Sequence, residues 1–396
     1  MKKGKIIQIM FLLFLIIVVT YFVISKVMVS ETFSPKEYSY QPLTENILDD
    51  QGLYYMKDNI AQYYDRRTKK QITLESNKGD SYYENSMGML LYNNKLYCIT
   101  LDTEKVEKGC GKETLYECNC DGSNRRKLFD FPAGCADSMY AFQGKLYYTF
   151  GYYNVDKQGE LLENGSTTNS LRVYDLKTEK NHTLYTVKQK DGQHNGSIKI
   201  CQTDDRNQIY CLYRYYDGKM EKGNDFDSFK QCFRSTFFSY NIKSKKVKKC
   251  FDNIEEKSFI EDAAVYQNTL FCFRRKLEYE NEETYFESYD EDKEVIMKGT
   301  KTSRFSFLNG NVYITDTEYT FLYNIQKKIC YRQCKGKNYL VVAISASGKY
   351  IALDDGDYSD LKDGDVYTKS RFVPKILSRK EFLQSYEVYK GKILTK

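Results

Sequence analysis

Residues 91–98 read LYNNKLYC, and closely similar stretches return four more times. They are AFQGKLYYT from Ala141, DRNQIYCLY from Asp205, VYQNTLFCF from Val265 and LNGNVYIT from Leu308. Each sets a short polar turn ahead of an apolar–aromatic run that alternates as a strand does. The strand aromatic falls at Tyr54, Tyr97, Tyr147, Tyr210, Phe271 and Tyr313, with Lys349-Tyr350-Ile351 a degenerate seventh. A second signature follows: an aromatic, then Asp, Asn or an equivalent turn residue, then a lysine-rich stretch. Examples are YYDRRTKK from Tyr63, VYDLKTEK from Val173, SYNIKSKK from Ser239 and LYNIQKK from Leu322. The Asp or Asn can bond the backbone two residues on and so close a tight hairpin.

Two hairpins per unit make a four-stranded sheet. Units about 40 to 60 residues apart predict the blades of an all-β propeller, in which each blade covers its neighbour's apolar face. Seven blades are expected, starting near residues 48, 88, 135, 195, 257, 302 and 337; the eroded last unit leaves six as the alternative. ENILDDQGLYYM from Glu45 is expected to close the ring against RFVPKILSRKEFLQSYEVYK from Arg371. The competing architecture is an irregular pair of β-sandwiches.

The composition suits strands: 38 Tyr and 23 Phe in 396 residues, with no Trp, 4 Pro and 2 His. Flat rings pack well on a half-buried pleated surface. A net charge of +6 from 60 basic and 54 acidic residues describes a soluble, mixed surface and argues against a nucleic-acid partner.

Lys2, Lys3 and Lys5 precede Ile6–Ile24, a run of 19 uncharged residues long enough to span a bilayer as a helix. No small-residue cleavage site follows it, so an uncleaved signal anchor is expected, with its lysines cytoplasmic. The organisation expected is a cytoplasmic 1–5, a transmembrane helix 6–24, a linker 25–44 and an extracytoplasmic propeller 45–390. Twelve cysteines without a Cys-x-x-Cys suit such a compartment, as structural disulfides or as buried thiols. Cys118 and Cys120 fall on one strand face.

At LYECNCDGSNRRKLFDFP, from Leu115, the strand, the Asp-Gly-Ser-Asn turn and the basic residues carry a family likeness. The stretch resembles the hairpin of uncharacterised extracytoplasmic bacterial propellers, similar to the low-density-lipoprotein-receptor propeller and more loosely to TolB-type propellers. As a repeat pattern the resemblance covers roughly residues 45–390, although the receptor's Tyr-Trp-Thr-Asp signature is absent. It implies a propeller with a protein- or polymer-binding habit and no catalytic residues.

Chemistry is sparse. There is no nucleophile elbow, phosphate loop or dinucleotide fingerprint, and His182 and His194 read as turn residues. No catalytic residue and no cofactor is expected. Asp355, Asp357 and Asp360 begin like a calcium loop, but Asp360 stands where the sharp turn needs Gly and the closing Glu is missing. The stretch therefore reads as a solvated loop. KSKKVKKC, from Lys243, reads as lysines that blunt an edge strand, with a site for anionic wall polymer or lipid headgroups as the competing reading.

The interval from strand aromatic to turn aromatic is 10 residues in blades one and six, and 19, 27, 30 and 18 in blades two to five. The insertions, GYYNVDKQGELLENGSTTN from Gly151 and YRYYDGKMEKGNDFDSFKQC from Tyr213, mix Tyr with charge. Insertions in repeat proteins commonly map to a binding face, which nominates Tyr152, Tyr153, Tyr213, Tyr215 and Tyr216 as ligand contacts. The function expected is a monomeric, membrane-anchored binding module for a protein or cell-wall polymer. The rivals are a hydrolase or lyase acting on wall glycan and a docking subunit of an envelope complex.

Overall fold

Asn93 and Asn94 both take left-handed backbone angles, φ 51° and 58°, and so do Gln143–Gly144, Gln267–Asn268 and Asn309–Gly310. Two consecutive left-handed residues define the type I′ turn, whose twist matches that of the strands it joins. LYNNKLYC is therefore a tight hairpin between strands Ser86–Tyr92 and Lys95–Glu107. The repeat of blade four, DRNQIYCLY, departs from this form, turning through the four residues Asp204 to Asn207.

The computed structural model of the chain describes residues 44–57, 60–74, 86–107, 110–132, 134–152, 168–187, 193–217, 233–253, 258–276, 283–289, 293–299, 304–315, 320–333, 340–356, 371–389 and 393–394. These form seven antiparallel blades. Their inner strands are Asn46–Leu48, Ser86–Tyr92, Gly134–Phe142, Gln193–Ile200, Ser258–Tyr266, Arg304–Leu308 and Leu340–Ile344. Each starts within a few residues of its expected position, and the six-blade alternative falls away. Among the described residues blade seven has three strands.

The second repeated signature closes the outer hairpins. Asp175 Oδ1 accepts from the Lys177 and Thr178 amides at 3.0 and 2.9 Å, and Asn324 Oδ1 accepts from Lys327 at 2.8 Å. Lys69, Glu179, Lys245 and Lys328 then take the left-handed residue that ends each turn.

Seven apolar clusters fill the molecule, one between each pair of neighbouring blades. Tyr54, Tyr97, Tyr147, Phe271 and Tyr313, the repeated strand aromatics, are all buried in these seams. No blade could bury its face alone, so the core is the ring itself.

The ring closes by packing. Blade one is built wholly from residues 46–73, and blade seven from residues 340–378. Tyr55 packs on Phe372 with ring centroids 4.8 Å apart, Arg66 lies over the Tyr350 ring, and Ser347 donates to Asp50 at 2.5 Å. The two terminal stretches meet as expected, face to face and without exchanging a strand. After Ser378 caps the short helix Arg379–Leu383, Tyr386–Tyr389 adds a fifth strand to blade six. Ile393–Leu394 then joins the outer edge of blade five in parallel.

Among the described residues no helix is long and apolar enough to cross a membrane, and the run 6–24 lies outside them. All nine cysteines whose side chains are described are free thiols, most of them buried, so no disulfide forms among them. Cys118 and Cys120 do share a face, against Tyr54 and Met89 in the seam between blades one and two.

Candidate functional site

The inner strands surround an axial cavity of about 410 Å³. Its lining is contributed by blades one, four, five, six and seven, and its chemistry changes from blade to blade. On blades four and five, Lys199 and Asp262 form an ion pair at 3.0 Å. On blade six, Phe305, Phe307 and Leu308 border it from the seams, Phe305 and Phe307 each lying 4.6 Å from the Phe273 ring of blade five, and Val342 of blade seven continues this side.

A backbone irregularity helps to aim these groups. The inner strands of blades three, five and seven each slip register by one residue, at Asp137, Glu261 and Val342. A bulge leaves one residue outside the ladder and bends the strand, which re-aims side chains that strict alternation would fix. Asp137 and Glu261 are thereby placed six residues before the turns at Gln143 and Gln267, in equivalent positions of two blades.

One short segment bridges neighbouring blades. Gln202–Thr203 runs on from the inner strand of blade four and pairs in parallel with the inner strand of blade five. Gln202 then donates to the Phe307 carbonyl at 2.9 Å and accepts from the Tyr266 hydroxyl at 2.8 Å, tying three blades together. Thr44 bridges to Met89 of blade two, which brings Glu45 and Asn46 to the cavity wall.

Beyond the cavity the charged wall continues into a belt. Arg214 Nη1 donates to the Glu261 carbonyl at 3.3 Å, and Arg275 donates to the Glu261 carboxylate at 3.0 Å. Burial pushes the Asp137 carboxyl up, and the Arg214 charge pulls against it. Enclosure also works against the Lys199 ammonium, but the Asp262 carboxylate outweighs it and the amine ends above its ordinary value. Glu113 of blade two, only 3% exposed, accepts from the Ala136 amide at 2.8 Å, and burial pushes it up to about 7. Cys135 donates to Asp137 Oδ1 at 3.7 Å, and burial raises its thiol well above the ordinary range.

The residues nominated from the insertions separate. Tyr213, 4% exposed, packs in the seam between blades three and four and stacks on Tyr215 at 5.1 Å. Tyr216, half-buried, heads a ladder to Phe233 at 4.0 Å and on to Phe259 at 4.8 Å. Tyr152 accepts from Arg172 and packs edge-on against Phe150. Tyr153 and most of both insertions lie outside the described residues.

Asp355 is bound by Lys375, whose Nζ lies 3.1 and 3.0 Å from its two oxygens, while Asp357 and Asp360 lie outside the described residues. Among the described residues no group of three or more His, Cys, Asp or Glu side chains could hold a metal ion. Lys199, Asp262, Gln202 and the blade-six phenylalanines were not nominated from the sequence. Their one signal is a charge interrupting an otherwise apolar inner strand.

Seven radial sheets around a lined axis define a seven-bladed β-propeller. No protein-family model matches the sequence, and neither does any curated protein. Among solved structures the chain is similar to the β-propeller domain of the Trilobed protease from Pyrococcus furiosus, at TM-score 0.49 and 10% identity, covering 90% of this chain and 99% of that one. It is also similar to an oligogalacturonate lyase in complex with manganese, at TM-score 0.48 and 9% identity, over 88% of this chain and 91% of that one. TolB from Acinetobacter baumannii is similar at TM-score 0.37 and 10% identity, over 83% and 76% of the two chains. These are likenesses of fold.

Proposed function

We propose that the chain is a non-catalytic binding module, tethered outside the cytoplasmic membrane through residues 6–24, that takes a polar ligand with an apolar face in its axial cavity. The observation that carries this reading is the mixed wall. The partly buried Phe305 offers apolar surface, while Lys199, Asp262 and Gln202 on the neighbouring blades offer donors and acceptors. A sugar ring has this pairing of a C–H face with an equatorial rim of hydroxyls, and about 410 Å³ holds one to two such rings. The long links of blades two to five, on the face where the inner strands begin, would extend the contact. The resemblance to extracytoplasmic receptor-like propellers agrees with this placement.

The test is titration of the detergent-solubilised full chain with cell-wall oligosaccharides, read by calorimetry. Phe305→Ala and Asp262→Asn should each weaken binding about 10-fold or more, as loss of a buried contact to a ligand does. Equal binding by both variants would remove the cavity from the reading. For the tether, the protein should stay in the membrane fraction after carbonate washing, and protease added to protoplasts should degrade the domain.

The rival reading is a hydrolase or lyase, in which Glu113, raised by burial to about 7, would be the acid or base; it is 3% exposed and stands outside the cavity lining. Turnover of a wall glycan, abolished by Glu113→Gln, would establish it over the binding reading.

A further inference from the structure

In every blade the turn after the inner strand and the turn after the third strand emerge at the same end of the sheet, because successive strands run antiparallel. Neighbouring blades touch through these turns around most of the ring. The Gly144 amide donates to the Tyr92 hydroxyl at 2.7 Å, Arg126 pairs with Glu179 at 2.6 Å, and the Gln267 amide donates to Asp204 at 3.0 Å. Further round, the Gly310 amide donates to Tyr266 and Ser347 donates to Asp50. The turns therefore make one continuous face of the propeller.

That face concentrates positive charge. The outer hairpins at 65–70, 120–127, 175–180, 242–249 and 325–328 together carry sixteen Lys and Arg against Asp65, Asp121, Asp175 and Glu179, and the turns after the inner strands add Arg206 and four acids, Asp49, Asp50, Asp204 and Asp205. A chain whose whole net charge is +6 thus has a larger excess on this face, and the rest of the molecule is net acidic. Blade seven adds Lys349 and Lys380, both exposed, so the basic arc runs unbroken from blade six through blades seven and one to blade four. The corresponding link of blade five is acidic, Asp290-Glu291-Asp292, and lies outside the described residues.

The hairpins offer charge without apolar contact. Leu176, Ile242 and Ile325, the aliphatic residue of three of them, turn inward and pack in the seams. The exposed large apolar side chains, Ile72, Val295, Val373 and Val388, belong to outer strands and the segment beside them, and none stands in these turns. A bilayer-docking surface gains much of its affinity from apolar side chains inserted among the headgroups. A single-stranded nucleic acid wants aromatic platforms. This arc has neither among its described residues, and charges spread along a curve suit a flexible chain with one anion per repeat.

We propose that this face binds a polyanionic envelope polymer, of the polyol-phosphate or anionic-glycan class. The inference rests on the outside location proposed above and is independent of the axial cavity. Long-range attraction by a basic arc raises the local concentration of such a chain, and each neutralised anion releases a counterion.

The experiment uses the full chain in neutral phosphatidylcholine nanodiscs, with fluorescent poly(glycerol phosphate) as the probe. Phosphatidylglycerol vesicles and duplex DNA are separate arms. The chain should bind the polymer with an affinity that falls steeply between about 50 and 200 mM salt. A variant carrying K243Q, K245Q, K246Q, K327Q and K328Q should keep the melting temperature and lose about 10-fold or more in affinity, whereas K276Q/K298Q should stay within about twofold. No binding by the wild type, or equal binding by the five-site variant, would overturn the proposal, as would tighter binding to the vesicles or to DNA. Protease protection of the domain in protoplasts, alongside intact polymer binding in vitro, would overturn the outside location alone.

Discussion

Replacing Glu113 by Gln should make the propeller more stable at alkaline pH while leaving it nearly unchanged at pH 5. The carboxyl is 3% exposed, accepts from the Ala136 amide at 2.8 Å and sits beside Cys135, with Asp137 near enough to add repulsion. Burial raises it from 4.5 to about 7. The folded state therefore holds a proton that the unfolded chain has released between those two values. The associated stability is fully present below about pH 4.5 and is lost as pH rises through 7. A shift of this size corresponds to about 3 kcal/mol, an upper bound because relaxation around the site reduces it. Gln keeps the acceptor for Ala136 and carries no charge, so the variant should gain up to that amount relative to wild type at pH 8. Urea titrations of the full chain in detergent at pH 5, 6.5 and 8 would measure it. Far-UV circular dichroism or tyrosine emission would serve as the signal, since the chain has no Trp. A wild-type-minus-variant difference that is flat across the three pH values would refute the reasoning. So would a variant that is less stable at pH 8.

Arg274 and Glu287 form a bidentate pair inside blade five at 3.0 and 2.7 Å, with the Tyr289 hydroxyl on the same carboxylate. Arg274→Leu should cost about 1–3 kcal/mol, because Glu287 loses its bidentate partner but keeps Lys293 at 3.3 Å, and Lys293→Gln added to it should raise the cost further, as read by urea midpoints. Gly134→Ala should lower the melting temperature, because its Cβ would lie 2.2 Å from the Gly151 carbonyl and 2.6 Å from the Phe150 ring. Removing residues 386–396 bares the outer edges of blades five and six, and light scattering during heating should report earlier aggregation. Shortening 155–166 and 219–231 should leave the melting transition intact and abolish capture of a partner crosslinked from cells. The first cut stops short of Asn169, which is buried in the third strand of blade three.

The architecture was legible because its determinants are local and repeated. Asn93-Asn94, Gln143-Gly144 and Gln267-Asn268 announce two-residue turns, and Asp175 and Asn324 close hairpins through their own side chains. Such signals need only neighbouring residues, and six or seven copies average out the accidents of any one. Blade seven was the hardest to count because only three of its strands stand among the described residues, and nothing local marks the difference. The end of the chain was legible only in part. Its meeting with the stretch from Glu45 was expected, but nothing local in Tyr386–Tyr389 says that its partner is the outer strand of blade six, which follows from where the helix after Ser378 redirects the chain.

The cavity was illegible because it is assembled across blades. Lys199 and Asp262 are 63 positions apart, and whether either faces the axis depends on register. In a strand, displacement by one residue sends a side chain to the other face. In blade five, a bulge at Glu261 shifts the register. Alternation counted back from the turn at Gln267 holds as far as Asp262 and fails from Ile260 on, so what the sequence hides about Asp262 is its partner on the neighbouring blade, Lys199. Tyr213 shows the converse error. Its place in a Tyr-rich insertion suggested a contact residue, but the strand Gln208–Asp217 runs several residues past the repeat and carries that ring into the seam between blades three and four. Length differences locate insertions, and the bulge pattern decides which side chains reach the axis. The two are separate variables in a propeller, and only the first is written in the spacing of the repeats.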